Sequence, residues 1–249
     1  MARAHETDMP MGSRQHWAYI DAVRRRRRRR GGAAFKGSVP TLPWIDDYRS
    51  VVVFDYVNDV AMLSGLGPGD DWIGDFAGLV AQGKATDLTG DDYAVDLSQL
   101  SWWSGLNDFT VYCESAPASA SGVRFWSLAN GVTTTRYYFG SRNAAFDDAT
   151  FNAFGGAGAG DSNGVVTADD TLAADFKAAV RFSANDMAAA IDGAVVGSDN
   201  TVSMIEASIF RNRRRYDASS TLNRNTNDFY RAVIVPEAWD DATLAARTG

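Results

Sequence analysis

The sequence predicts a mainly β protein, a sandwich of short strands preceded by a basic amino-terminal arm. Three observations predict it. The first is a series of short runs rich in β-branched and aromatic residues, "SVVVFDYV", "YAVDL", "FTVYCE", "VRFWSL", "TTTRYYFG", "KAAVRFSA", "MAAAIDG", "ASIFRN" and "DFYRAVIVP", separated by Gly, Asn, Asp or Ser. Many short strands with such punctuation point to a sandwich. The second is the pair of turn signals Asn130-Gly131 and Asp192-Gly193, which supply the positive φ angles of tight hairpins. The third is a division of charge. The 249-residue chain carries a net −7, yet residues 1–36 hold ten basic side chains against Glu6, Asp8 and Asp21, a local +7 that leaves −14 for the rest.

Taken in order, the arm comes first. "SRQHWAYIDAV" spaces Trp17, Ile20 and Val23 three apart, which fits a short amphipathic helix beginning near Ser13, with Tyr19 beside them. A helix this short is marginal in water and needs a partner surface. Arg24, Arg25, Arg26, Arg27, Arg28, Arg29 and Arg30 follow, and Gly31-Gly32 end any regular element. Residues 37–84 read as a connector with Pro40 and Pro43 and then the first strand or strands, and residues 85–249 as the sandwich proper. "GGAGAGDSNG" at 155–164 reads as a loop that matches neither nucleotide-binding glycine motif. At the carboxyl end Asp240 or Asp241 caps a helical turn carrying Leu244, and Gly249 stops it.

Composition excludes several chemistries. The single cysteine, Cys113, forbids an intramolecular disulfide, and its alternation with Phe109 and Val111 puts it on the apolar face of a strand as a structural thiol. Both histidines, His5 and His16, lie in the arm, so the body has no imidazole for Ser-His catalysis or for His-ligated metal. There are four glutamates, Glu6, Glu114, Glu206 and Glu237, and no strand aims two of them at one cleft as glycoside hydrolysis needs; Asp186 and Asp192 read as turn residues. No apolar run approaches the eighteen or so residues that cross a bilayer, and no apolar stretch follows the arginines as in a signal peptide. A soluble chain made without export is expected.

In "LTGDDYAVDLSQLSWWSGLNDFTVYCESAP", a strand and a tryptophan-bearing turn precede an extended strand; "FKAAVRFSANDMAAAIDGAVVG" is a hairpin closed by Asp-Gly; "NDFYRAVIVPEAWDDATLAARTG" is a strand, a Pro turn and a short helix. Together these resemble the concanavalin A-like, laminin G-like lectin domains at the ends of bacteriophage virion proteins, over roughly residues 85–249. The departures are "RNRRRYDASSTLNRNT", where the family has a glycine-rich stretch, and residues 44–84, which have no counterpart. The resemblance implies a concanavalin A-like jelly roll and a non-enzymatic virion component, a decoration, spike or tail-associated protein, partnered by other virion proteins, localised in the particle and assembled as a homo-oligomer. Fold alone does not imply sugar binding. The competing readings are a receptor adhesin that binds host-surface glycans and, weaker, a glycoside hydrolase.

Candidate site residues follow from this. Trp17, Tyr19, Ile20, Val23 and Arg24 to Arg30 are expected to dock the protein on a neighbour, pairing guanidinium with carboxylate while the aromatics bury. Nucleic acid is the poorer partner, because the acidic body repels a phosphate backbone. Trp102 and Trp103, and Tyr137 and Tyr138, are adjacent pairs, so in a strand one of each faces away from the core, as an interface, as ordinary burial under a loop or as a platform for a sugar ring. No cofactor or metal is expected; calcium is the cation that the Asp pairs raise, and Asp161 and Asn163 come nearest to a ligand-spaced loop. Arg211, with Arg213, Arg214 and Arg215, reads as a solvated strand end.

Overall fold

The computed structural model describes residues 51–64, 72–88, 92–116, 124–130, 135–141, 150–157, 165–169, 175–212 and 228–249. Fifteen strands and two helices lie in these segments: β1 (Val52–Asp55), β2 (Val60–Leu63), β3 (Trp72–Gly74), α1 (Phe76–Ala81), β4 (Ala85–Asp87), β5 (Tyr93–Asp96), β6 (Phe109–Ser115), β7 (Arg124–Ala129), β8 (Thr135–Ser141), β9 (Thr150–Ala157), β10 (Val165–Asp169), β11 (Phe176–Ser183), β12 (Asp186–Ile191), β13 (Ala194–Asp199), β14 (Ile209–Asn212), β15 (Phe229–Val235) and α2 (Asp241–Thr248). They form two antiparallel sheets, a jelly-roll sandwich as expected. The eight-stranded sheet runs β13-β12-β11-β6-β15-β1-β2-β3 and the seven-stranded sheet β10-β9-β8-β7-β14-β5-β4.

Alternation along each strand sorts its side chains between the sheets and the outer face. In β11, Phe176, Ala178, Val180 and Phe182 point into the core, as do Phe109, Val111 and Cys113 of β6 and Ala232 and Ile234 of β15. From the facing sheet come Val95, Phe125, Trp126, Leu128, Tyr137, Phe139 and Phe210. Rings link the layers: Phe109 stacks on Phe182 at 4.9 Å between centroids, and Tyr137 meets both edge-on at 5.0 and 4.8 Å. Such contacts add to the burial of large apolar surfaces, which is what drives the sheets together.

Residues 52–64 and 72–87 belong to this sandwich. "VVFD" pairs with β15 on one side and β2 on the other, and Phe54 stacks on Phe210 of the opposite sheet at 5.3 Å. A unit beginning at 85 therefore leaves out three strands of the eight-stranded sheet and α1. The glycine-rich stretch is likewise part strand: Gly155, Gly156 and Ala157 pair with Tyr137, Arg136 and Thr135. Backbone pairing does not require a side chain, so glycine composition alone did not mark it as loop.

The hairpin between β12 and β13 turns at Asp192 and Gly193, with φ of 45° and 84°. A Cβ at Gly193 would also press on Gly249 Cα at 3.2 Å, so the turn and the end of α2 are mutually fitted. Asp240 caps α2, its carboxylate accepting from Thr243 N at 2.7 Å. The helix covers part of the outer face of the eight-stranded sheet: Trp239 and Leu244 pack with Val51, Val53, Met62, Tyr112, Ala179, Ala188, Ala190 and Val233 into a second apolar cluster.

Candidate functional site

The tryptophan turn is structural. Trp103 is buried against Phe109, and its indole N–H donates to Ala207 O at 2.7 Å. Trp102 is half-buried and donates to Ser64 O at 2.9 Å, tying the same turn to the end of β2. Gly105 sits in this turn at φ 70°, where a Cβ would come within 2.6 Å of Ala207 N. Tyr137 is fully buried; its hydroxyl accepts from Ile205 N at 2.7 Å and reaches Gly105 O at 2.9 Å, and burial pushes the phenol far above its ordinary range.

Tyr138 does face away from the core, but it too is buried, with the Arg124 guanidinium 3.9 Å above its ring. Directly across the strands from it lie Ser127 and then Arg211, both buried. An exposed member of the tyrosine pair is therefore not found, and Arg211 is no solvated strand end. The side chains that would have offered a flat sugar platform instead carry hydrogen bonds and packing. Cys113 is buried in the core as expected; burial first, and the Glu114 charge second, push its thiol well above the usual range.

The polar arrangement that remains open lies on the outer face of the eight-stranded sheet, beyond the apolar cluster under α2. Strand register builds it. Lys177 of β11 is opposite Glu114 of β6, Glu114 is opposite Arg231 of β15, and Arg231 is opposite Asp55 of β1. Asp192, at the turn after β12, continues the row, its carboxylate accepting from Lys177 N at 2.9 Å. Five charges thus alternate in sign across the sheet, the arrangement that cross-strand pairing favours. Arg231 donates to Glu114 Oε1 at 3.1 Å and to Asp55 Oδ2 at 3.3 Å; Tyr112 OH donates to the same Glu114 oxygen at 2.7 Å.

Next to this row β15 bulges at Tyr230: Phe229 pairs with Ser115 and Arg231 with Glu114, so one residue has no opposite number. Bulges re-aim side chains. The half-exposed Tyr230 donates its hydroxyl to Asp175 Oδ2 at 3.0 Å, and this bond, more than desolvation, raises its pKa. Between β15 and the end of α2 a cleft of about 340 Å³ is left, lined by Glu114, Asp175, Lys177, Asp192, Tyr230 and Gly249 among others. Lys177 Nζ donates to Gly249 O at 2.8 Å. Among the described residues no group of three or more His, Cys, Asp or Glu converges closely enough to hold a metal ion, and no helix is long and apolar enough to cross a membrane.

Composition had brought Glu114 and Asp192 forward as candidate carboxylates, but Asp175, Lys177 and Tyr230 escaped sequence reasoning. Their strands alternate legibly, yet which outward residues become neighbours depends on register and on a bulge. Trp17, Tyr19, Ile20, Val23, Arg24 to Arg30, Asp161 and Asn163 lie outside the described residues.

No family model and no curated protein matches the chain. Among solved structures it is similar to the CBM40 of the Ruminococcus gnavus IT-sialidase, at 11% identity over 67% of this chain and 97% of that one, with a TM-score of 0.47. That CBM40 has also been seen bound to α2,6-sialyllactose. The native heptameric SAP-like pentraxin of Limulus polyphemus is similar at 11% identity over 80% of this chain and 82% of that one, with a TM-score of 0.43. The K499G mutant of the NanB sialidase of Streptococcus pneumoniae is similar at 8% identity over 65% of this chain and 27% of that one, with a TM-score of 0.46.

Proposed function

We propose that the protein is a non-enzymatic binding protein of a virus particle: its basic amino-terminal segment attaches it, and its lectin-like sandwich holds a carbohydrate in the cleft beside β15. The observation that supports binding is the charged row that α2 leaves open while it closes the apolar row next to it. Sugars are held by planar polar side chains that take up hydroxyl groups and by aromatic faces that cover C–H surfaces, and Glu114, Asp175, Asp192 and Tyr230 supply both kinds in one concavity.

Attachment is supported by the charge division and by the resemblance over residues 85–249. Arg24 to Arg30 supply its electrostatic part and Trp17, Tyr19, Ile20 and Val23 its buried contact. Copies of the chain form a homo-oligomer, whose symmetry multiplies a weak sugar contact into avidity.

Immunogold electron microscopy on purified particles, with antibody raised against residues 101–249, tests the reading: gold at fixed positions is expected, and bare particles would overturn it. Replacing Arg24–Arg30 with Ser is expected to leave the sandwich folded and release it from the particle. Saturable retention on host-surface polysaccharide without release of reducing ends is the expected binding result; released reducing ends would make the protein a hydrolase.

A further inference from the structure

We infer that the cleft selects a neutral or amino-bearing saccharide and turns away sialylated or otherwise acidic ones; the inference rests on the carbohydrate reading above. Its lining holds three carboxylates, Glu114, Asp175 and Asp192, against the single ammonium of Lys177. The positive groups nearby are already engaged by acceptors of the protein. Lys177 Nζ donates to Gly249 O, and the Arg231 guanidinium divides its two terminal nitrogens between Glu114 and Asp55.

The carboxylates are the reverse case. Glu114 uses Oε1 for both Tyr112 and Arg231, Asp175 uses Oδ2 for Tyr230, and Asp192 uses Oδ1 for the Lys177 backbone. Among the described residues no donor reaches the second oxygen of any of the three. The cleft is therefore rich in acceptors and short of donors, and its complement is a ligand that brings O–H or N–H groups. A ligand carboxylate would bring further acceptors and a like charge beside three carboxylates, where the described guanidinium, Arg231, already pairs with Glu114 and Asp55, an arrangement that specificity by charge repulsion exploits.

Two alternatives fit less well. The carboxylates do not converge as a cation requires, so spread-out hydroxyls suit them better than a metal. An apolar ligand would leave them desolvated without partners. The volume, about 340 Å³, lies at the small end of ligand pockets, and the cleft is open, so one saccharide unit sits inside while the rest of a chain runs into water. The half-exposed ring of Tyr230, aimed there by the bulge, is the stacking surface.

The test is an array of neutral, amino and sialylated oligosaccharides probed with the full chain, its Tyr230→Ala and Asp175→Asn variants, and 3′-sialyllactose beside lactose as a matched pair. Neutral or amino saccharides are expected to bind, each variant to weaken that binding roughly tenfold at unchanged melting temperature, and sialylated partners to be disfavoured. Binding that both variants leave intact would overturn the cleft as the site, and preference for the sialylated member of matched pairs would overturn its polarity. Retention of no saccharide at all would overturn the carbohydrate reading itself along with this inference.

Discussion

Tyr137 shows what an aromatic pair in a strand can conceal. Its hydroxyl satisfies Ile205 N and Gly105 O inside the protein, so Tyr137→Phe leaves a buried donor and a buried acceptor without a partner. A loss of about 1–3 kcal/mol in chemical denaturation is expected. Gly105→Ala goes further, because it adds strain at a positive φ to a clash with the Ala207 backbone; a lower melting temperature than that of Tyr137→Phe is the expected result. At this scale the sequence was readable for Cys113 and Asp192, whose surroundings are set by neighbours in the chain. It was not readable for Trp103, Tyr137 and Tyr138, whose burial depends on partners up to about a hundred residues away, such as Ala207 and Ile205.

Among the elements, α2 is tied to the sheet by polar contacts from β11 as well as by its apolar face, and Arg181 makes most of them. Arg181 makes a two-pronged contact with Asp186, donates to Trp239 O and pairs with Asp241. Burial lowers its pKa, but the two carboxylates outweigh burial and raise it, so the guanidinium stays charged. Arg181→Met removes these bonds, and a loss of about 2 kcal/mol is expected, with amide-exchange protection in α2 falling first. The cap adds a pH dependence. Hydrogen bonds from Thr243, side chain first and backbone second, hold Asp240 below its ordinary 3.8. A depressed carboxylate stabilises the fold above its unfolded pKa and loses that contribution as pH falls through the folded one. Protection in α2 is therefore expected to decline on acidification below about pH 4, and Asp240→Asn to flatten that decline.

Strands whose alternation or β-branched content is strong, such as β6, β11 and β15, were legible, and so were the hairpin at Asp192-Gly193 and the cap of α2. The strands β2, β3, β4, β9 and β10 were not. "VAML" is buried on both faces and shows no alternation, so it carries no period-two signal. The helix α1, six residues capped by Asp75, is too short for a helical period to emerge.

For the whole molecule, sequence predicted the sandwich and the division of charge, while the cleft came from strand register, the bulge at Tyr230 and the placement of the end of α2. Glu114, Lys177, Arg231 and Asp55 are far apart in the chain and adjacent only once four strands are ordered β11-β6-β15-β1. In the proposed function the basic arm attaches the protein and the acidic sandwich recognises its ligand. Replacing Arg24–Arg30 with Ser is accordingly expected to leave melting temperature and saccharide affinity unchanged; a fall in either would mean that the arm is part of the sandwich's own stability or site.

The most direct measurement is an NMR titration of the full, isotope-labelled chain with the neutral oligosaccharides, following backbone amides. Shifts are expected to concentrate at Glu114, Asp175, Lys177, Asp192 and Tyr230 and to spare the turn of Trp102 and Trp103. Shifts centred on that turn, or no shifts at saturating saccharide, would contradict the cleft as the binding site.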